Sequence, residues 1–347
     1  MADFGESIIL NWCGVFCQKL EMLVVFKRYR KVVSQMGTEN LTFVKEFMLV
    51  GLTSHRGTQL LLFGVLLLIY LLILFDNLLI ITLVWADSQL HTPMYFFLSN
   101  LAVMEIGLVT STLPQMLAHL ITGSGILSLT RCMLQGYIAL NIGSAESLLL
   151  GVMAYDRYLA ICSPLLYATA MSKFHQVLLV GTCWITGCAF SMIYVISIFR
   201  HSFCGPNLIN HFGCELPIVL KLACDDIKMT KAIVSGLSAF MIFIPLSVIL
   251  SSYGFILHSI LHMRSTAGRS KAFSTCGSHL TVVILFYGTV ISMYIIPHPD
   301  SGPSHNKEMT ICYLVVTPLL NPIIYTLRNK EIHSAVIKMA RRWGLEQ

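Results

Sequence analysis

Apolar residues run along this chain in seven long blocks, separated by short polar stretches. The blocks are Leu60 to Trp85, Met94 to about Leu117, about Cys132 to Leu159, Val177 to Ser197, Ala232 to about His258, Phe273 to Pro297 and Met309 to Leu327. Crossing the hydrocarbon core of a bilayer takes roughly 20 mostly apolar residues in helical form. Each block is about that long or longer, so the pattern predicts seven membrane-spanning helices, here called spans one to seven. Ile8 to Phe16 is too short and too interrupted to be an eighth. Residues 1–59 then form an outer N-terminal segment, with 1–35 as an atypical extension. Residues 60–327 form the bundle, and 328–347 a cytoplasmic tail with a short amphipathic helix.

The polar stretches set the orientation. Lys173 follows span three, Arg264, Arg269 and Lys271 follow span five, and Arg328, Lys330, Lys338, Arg341 and Arg342 follow span seven. Short loops rich in Lys and Arg stay in the cytoplasm, which puts the N-terminus outside. The sequon Asn40-Leu41-Thr42, a candidate glycosylation site, falls on that outer side. The basic cluster at Phe26 to Lys31 lies too far from span one to count in the charge rule.

Composition supports lipid as the solvent. Of 347 residues, 56% are hydrophobic and only 12% charged, about half the charge content of a soluble domain. The net charge of +6 is concentrated in loops and tail, as topology requires, and is not a nucleic-acid footprint. Several of the eleven cysteines, such as Cys183 and Cys276, sit within apolar blocks, where a thiol is a small hydrophobe.

Ionisable side chains inside spans cost roughly 2.5–3.5 kcal/mol each on insertion scales, so each calls for a reason. Asp76, Glu105, Glu146, Asp156 and Arg157 stand out. Glu146, near mid-span, is expected to face the interior with Glu105 and Asn77. That cluster could hold a sodium ion or shared protons, or could be a purely structural hydrogen-bond network. Asp156 and Arg157 stand at the cytoplasmic mouth, where as end residues they could reach to the lipid headgroups or could form an adjacent ion pair, easily broken by a competitor from outside. Pro245, Pro297, Pro318 and Pro322 each remove a helical hydrogen bond, and Asn321-Pro322 gives span seven a hinge.

Taken together, the stretches LHTPMYFFLSNLA (90–102), MAYDRYLAICSPLLY (153–167), KAFSTCGSHL (271–280) and PLLNPIIYTLRNK (318–330), with EFMLVGLTS (46–54) before them, resemble the olfactory receptors of the rhodopsin-like G-protein-coupled receptor family. The long second outer loop, with Cys204, Cys214 and Cys224, is similar to the terrestrial-type subclass. Two positions depart from the family pattern: Asp76-Asn77 stands where Gly-Asn is usual, and Glu105 where an aspartate is usual.

The resemblance implies a receptor at the plasma membrane, in olfactory cilia, without a cofactor. It would bind a small odorant and signal through the heterotrimeric stimulatory olfactory G protein to raise cyclic AMP. In that family pattern Asp156, Arg157 and Tyr158 restrain the cytoplasmic end until Arg157 is released. Tyr253 and Tyr325 then swing inward, Lys271 to His279 form the moving inner half of span six, and Asn321 and Pro322 the hinge. Spacing alone leaves three pairings of the four outer cysteines open; the resemblance implies Cys132–Cys214 and Cys204–Cys224. It also places ligand contacts at Ala139, Leu140, Gly143 and Ser144 on span three, Leu237, Ser238 and Met241 on span five, and Tyr287, Val290, Ile291 and Tyr294 on span six.

Other chemistry is disfavoured. The outer half of span three has no acid before Glu146 to anchor a cationic amine, and span seven has no lysine for a retinal Schiff base. An apolar pocket with Ser144, Ser238 and Tyr294 as orienting groups suits a small, volatile, mostly hydrophobic ligand. Ser278 and His279 are neighbours on a helix and so do not face each other as nucleophile and base. Proton-coupled transport through Glu105 and Glu146 is the serious alternative, but the two halves show none of the internal repeat common in transporters.

Overall fold

The computed structural model describes residues 44–204, 207–262, 266–295, 303–327 and 330–342. Asn40, the segment 1–35 and Pro297 lie outside the described residues, as does the side chain of Lys271. Among the described residues eleven α-helices follow in order: α1 (Arg56–Ala86), α2 (Pro93–Thr122), α3 (Leu129–Cys162), α4 (Pro164–Ala170), α5 (Lys173–Phe199), α6 (Leu216–Leu220), α7 (Lys228–Leu261), α8 (Thr266–Tyr294), α9 (Pro303–Ile311), α10 (Thr317–Leu327) and α11 (Lys330–Arg342). Seven segments are long and apolar enough to cross a membrane. Spans one to six are α1, α2, α3, α5, α7 and α8; α9 and α10 share the seventh.

Most helices outrun the apolar blocks, because their ends are set by capping rather than by hydrophobicity. His55 closes the first turn of α1 by accepting from the Thr58 amide, and Ser128 and Ser172 do the same for α3 and α5. Pro93 starts α2, where its missing N–H costs nothing. Gly123, left-handed at φ 74°, ends it by returning its N–H to the His119 carbonyl. The Arg56 guanidinium crosses to the end of α2, donating to the carbonyls of Leu120 (3.1 Å) and Ile121 (2.6 Å). Span six differs from the expected limits of 273–297: α8 begins about two turns earlier, at Thr266, and ends at Tyr294.

Burial separates the spans by position. In span three 67% of the most apolar stretch is buried, against 17% in span one. Span three is also less apolar and packs against spans two, four, five and six. Span one touches spans two and seven and helix α11, and shows lipid the large faces of Leu61, Phe75 and Trp85. A lipid-facing helix must be apolar all round, whereas a central one can carry polar groups wherever a partner is waiting.

Two features were not expected. Span seven contains a π-helical segment, Cys312–Val316, between α9 and α10; Pro318 follows it with no N–H to donate, and Thr317 Oγ1 donates to the Cys312 carbonyl at 3.1 Å. The helix irregularity therefore lies upstream of Asn321-Pro322, which sits inside α10. On the outer side, β1 (Glu46–Leu49) runs between β2 (Ile126–Ser128) and β3 (Leu208–Ile209), antiparallel to the first and parallel to the second. Phe47 faces inward, 1% exposed, edge-on to Phe203.

Candidate ligand cavity and cytoplasmic switch

The outer sheet and the second outer loop roof the bundle. Cys132, at the start of span three, is bonded to Cys214, and Cys204 to Cys224; both expected pairs are present. Gln135 reinforces the first tie: its Oε1 accepts from the Cys214 amide at 2.9 Å while its Nε2 donates to the Ser111 carbonyl at 3.2 Å. Beyond the strands, Gly51 N donates to the His211 carbonyl (3.1 Å), and Lys307 Nζ on span seven donates to the Gly51 carbonyl (2.8 Å). The N-terminal segment thus joins the loops before span three and after span four to span seven.

Beneath this roof lies a cavity of about 110 Å³ between spans two, three, four, five, six and seven, lined mostly by apolar side chains with a few polar groups, as small-molecule sites are. Ala139, Leu140, Gly143, Ser144, Ser238, Met241, Val290 and Tyr294, all expected at the site, line it. Leu237, Tyr287 and Ile291 do not. Leu237 and Ile291 pack against the hydrophobic cores to either side. Tyr287 lies under the floor, its hydroxyl 2.9 Å from Ser147 Oγ, and Ser147 in turn donates to the Met241 carbonyl on span five at 3.2 Å. That floor joins spans three, five and six.

The walls also hold residues that sequence reasoning missed: Thr112, Tyr194, His211, Glu215, Thr310 and Tyr313. Glu215 is the informative one. It is half-buried, hydrogen-bonds to Thr310 and lies within electrostatic reach of Tyr194, Tyr294 and Tyr313. Burial pushes its carboxyl up to about 7, the Thr310 bond opposing that rise. A signal for it was present: Glu215 directly follows Cys214, so the disulfide expected to span three also delivers an acid there.

Midway through the bundle, Asn321 Nδ2 donates to Glu105 Oε1, Asn77 lies within hydrogen-bonding reach of the same carboxylate, and Glu146 is close enough to interact with it. All four side chains are 1% exposed. Glu105 Oε2, Glu146 Oε2 and Asn321 Oδ1 are buried without a hydrogen-bond partner among the described residues. The expected cluster is assembled, with Asn321 as a fourth member. Such hard oxygen donors suit sodium or a shared proton. Among the described residues, no three His, Cys, Asp or Glu side chains converge as a metal site would require.

At the cytoplasmic mouth, Arg157 Nη2 pairs with Asp156 Oδ2 at 2.9 Å. The Tyr167 hydroxyl, on α4, donates to Asp156 Oδ1 at 3.0 Å, so both carboxylate oxygens are engaged. Span three and the loop after it are thereby tied by one carboxylate. Tyr253 and His279 link spans five and six, hydroxyl to Nδ1 at 2.8 Å with their rings stacked. Tyr158 packs on Phe255 of span five. Tyr325 is 3% exposed and its hydroxyl has no partner among the described residues. Pro322 is buried. Outside the bundle, α11 is held to the loop after span one by Lys338–Asp87 (3.1 Å) and to span two by the Tyr95 hydroxyl on Glu331 (2.6 Å).

The chain has close relatives. The olfactory receptor family profile matches residues 66–342. Olfactory receptor 5P56 of Mus musculus is 47% identical over 303 residues, covering 87% of this chain and 98% of the relative. Olfactory receptor 13F1 of Homo sapiens is 44% identical over 303 residues, covering 87% and 95%. Olfactory receptor 6B9 of Mus musculus is 42% identical over 300 residues, covering 86% and 95%. With seven spans, a roofed cavity and the cytoplasmic ion pair in place, the chain belongs to the olfactory receptor family, whose members are receptors and not enzymes.

Proposed function

We propose that this receptor binds a small, volatile, mostly hydrophobic odorant in the outer cavity and, when occupied, activates the stimulatory olfactory G protein to raise cyclic AMP. Its place of action in this reading is the plasma membrane of olfactory cilia. The observation that carries the proposal is the cavity floor: the Ser147–Tyr287 bond and the Ser147–Met241 bond join three spans directly beneath the ligand space. A ligand touching that floor in one arrangement of the spans more than in another shifts the balance between them. A tenfold difference in affinity between the two arrangements corresponds to about 1.4 kcal/mol.

The cytoplasmic end is where the shift is read. In the closed arrangement Asp156 holds both Arg157 and Tyr167. Outward movement of the inner half of span six, from Lys271 to His279, breaks the Tyr253–His279 bond and opens the mouth. Arg157 then leaves Asp156 for the G protein, and Tyr253 and Tyr325 move into the space vacated. Asn321, held by Glu105, and Pro322 let span seven follow, with the neighbouring π-helical turn as a second point of adjustment.

Cyclic AMP in cells expressing the receptor with the olfactory G protein, screened against a volatile panel, tests this reading. Wild type is run beside Arg157→Ala with surface staining of both. The expected result is a ligand response in wild type that disappears in the variant at equal surface level. A response that survives Arg157→Ala sinks the role given to that arginine.

A further inference from the structure

We infer that the cavity selects hydrophobic amines, with Glu215 as the anchor for their basic nitrogen; this deepens the odorant-receptor reading and rests on it. Three observations combine. The first is charge: Glu215 is an acidic group at the roof, and among the described lining residues there is no lysine or arginine to neutralise it. Among the described residues of the wall His211 is the only basic side chain, and its Nδ1 accepts from the Gly213 amide at 3.2 Å.

The second is the surroundings of the carboxylate. Tyr194, Tyr294 and Tyr313 all feel its charge from three different spans, and Thr310 hydrogen-bonds to it. An acid set among several aromatic rings is the arrangement that recognises alkylammonium groups, through an ion pair with the acid and attraction to the rings. The Tyr194 hydroxyl is buried beside Ser238 without a hydrogen-bond partner of good geometry among the described residues, and is available to a ligand that can accept or donate there.

The third is polarity along the cavity. Its wall carries Met241, Ile242, Phe286 and Leu314 with the small hydroxyls of Ser144, Ser147 and Ser238 between them, whereas the acid comes from the loop at the roof. A ligand with one polar nitrogen and an apolar tail therefore has one favoured direction, nitrogen up and tail toward the Ser147–Tyr287 floor. Span three needs no acid for this: the residue that the aminergic arrangement takes from a helix is supplied here by the loop residue after Cys214. A carboxylic acid of the same length meets Glu215 with like charge.

The test uses full-length receptor in cells with a cyclic AMP readout and surface staining. Hexylamine is compared with hexan-1-ol and hexanoic acid, and benzylamine with N-benzylacetamide, which keeps the ring but loses the basic nitrogen. Wild type should respond to the amines at least tenfold more potently than to the acid or the amide. Glu215→Gln should move the amine dose–response at least tenfold to higher concentration, while any hexan-1-ol response moves less than threefold; Glu215→Asp should restore part of the amine potency. Equal potency of benzylamine and its amide on wild type overturns the proposal with no variant needed. So does unchanged amine potency in Glu215→Gln, or parallel loss of amine and alcohol responses. A receptor that answers alcohols or esters but no amine keeps the odorant reading and loses this one. Silence to an entire volatile panel at normal surface level removes both.

Discussion

The outer and inner halves of the bundle solve opposite problems with the same seven helices. The outer half is put together from distant parts of the chain: a strand near residue 48, a disulfide between residues 132 and 214, and a lysine at 307. It leaves polar groups facing a cavity. The inner half combines near neighbours, Asp156 with Arg157 and Tyr167, with links between distant spans, Tyr253 with His279 and Asn321 with Glu105. A ligand site must present groups it does not itself satisfy, whereas a switch must satisfy its groups in one state and exchange partners in another. Selectivity and signalling can therefore change separately in this molecule.

Substitutions can break that separation or sharpen it. The largest effect is expected at the inner end, where Arg157→Ala should abolish the cyclic AMP response at unchanged surface level and unchanged ligand binding. Cys214→Ser comes next. Releasing the roof from span three should cost about 2–5 kcal/mol, the usual range for a native disulfide, and should appear as reduced surface expression together with loss of every ligand response.

Glu215→Gln tests whether the acid has a cost to the fold. A carboxyl raised from 4.5 to about 7 favours the folded state when protonated. That contribution is complete below about 4.5 and is lost as pH climbs through 7. Glutamine does not titrate, so the purified variant should gain on wild type by roughly 1–3 kcal/mol between pH 5 and pH 8, read as a difference in melting temperature. A difference that does not vary with pH would remove the buried-acid argument.

Gly143→Ala probes the cavity wall, since a Cβ there runs into the Tyr313 hydroxyl. Agonist potency should fall about tenfold, the equivalent of about 1.4 kcal/mol, while surface level holds. The smallest effect is expected for Tyr167→Phe. Loss of one hydrogen bond to Asp156, whose carboxylate stays paired with Arg157, should raise ligand-free cyclic AMP a few-fold. A lower basal signal would mean that Tyr167 supports the active arrangement instead.

How much of this was legible in the sequence follows the same division. The spans could be read because lipid demands unbroken apolar length, and the inner site because its partners are adjacent or lie in motifs. Helix ends were less visible: His55, Ser128 and Ser172 act as caps through single backbone contacts that leave little trace in hydropathy. The three strands are two to four residues long, too short for an alternating pattern. Leu237, Tyr287 and Ile291 carry the right chemistry and helical spacing for the cavity, yet a small rotation of the helix faces sets them against neighbours instead. Glu215 lies in a loop, where no helical spacing marks it as facing the cavity, although its place beside Cys214 ties it to the outer end of span three.

The position of β1 has a consequence for the order in which the receptor is made. This strand leaves the ribosome before any span, but its partners β2 and β3 come about 80 and 160 residues later, and Lys307 later still. Until span four has been threaded through the membrane and the second outer loop has reached the oxidising compartment, the N-terminal strand has nothing complete to pair with. The ligand chamber is thus among the last parts to form, and its closure reports that almost the whole chain has been inserted the right way round. A cell that retains receptors with an unpaired outer strand would be releasing only those whose topology is correct.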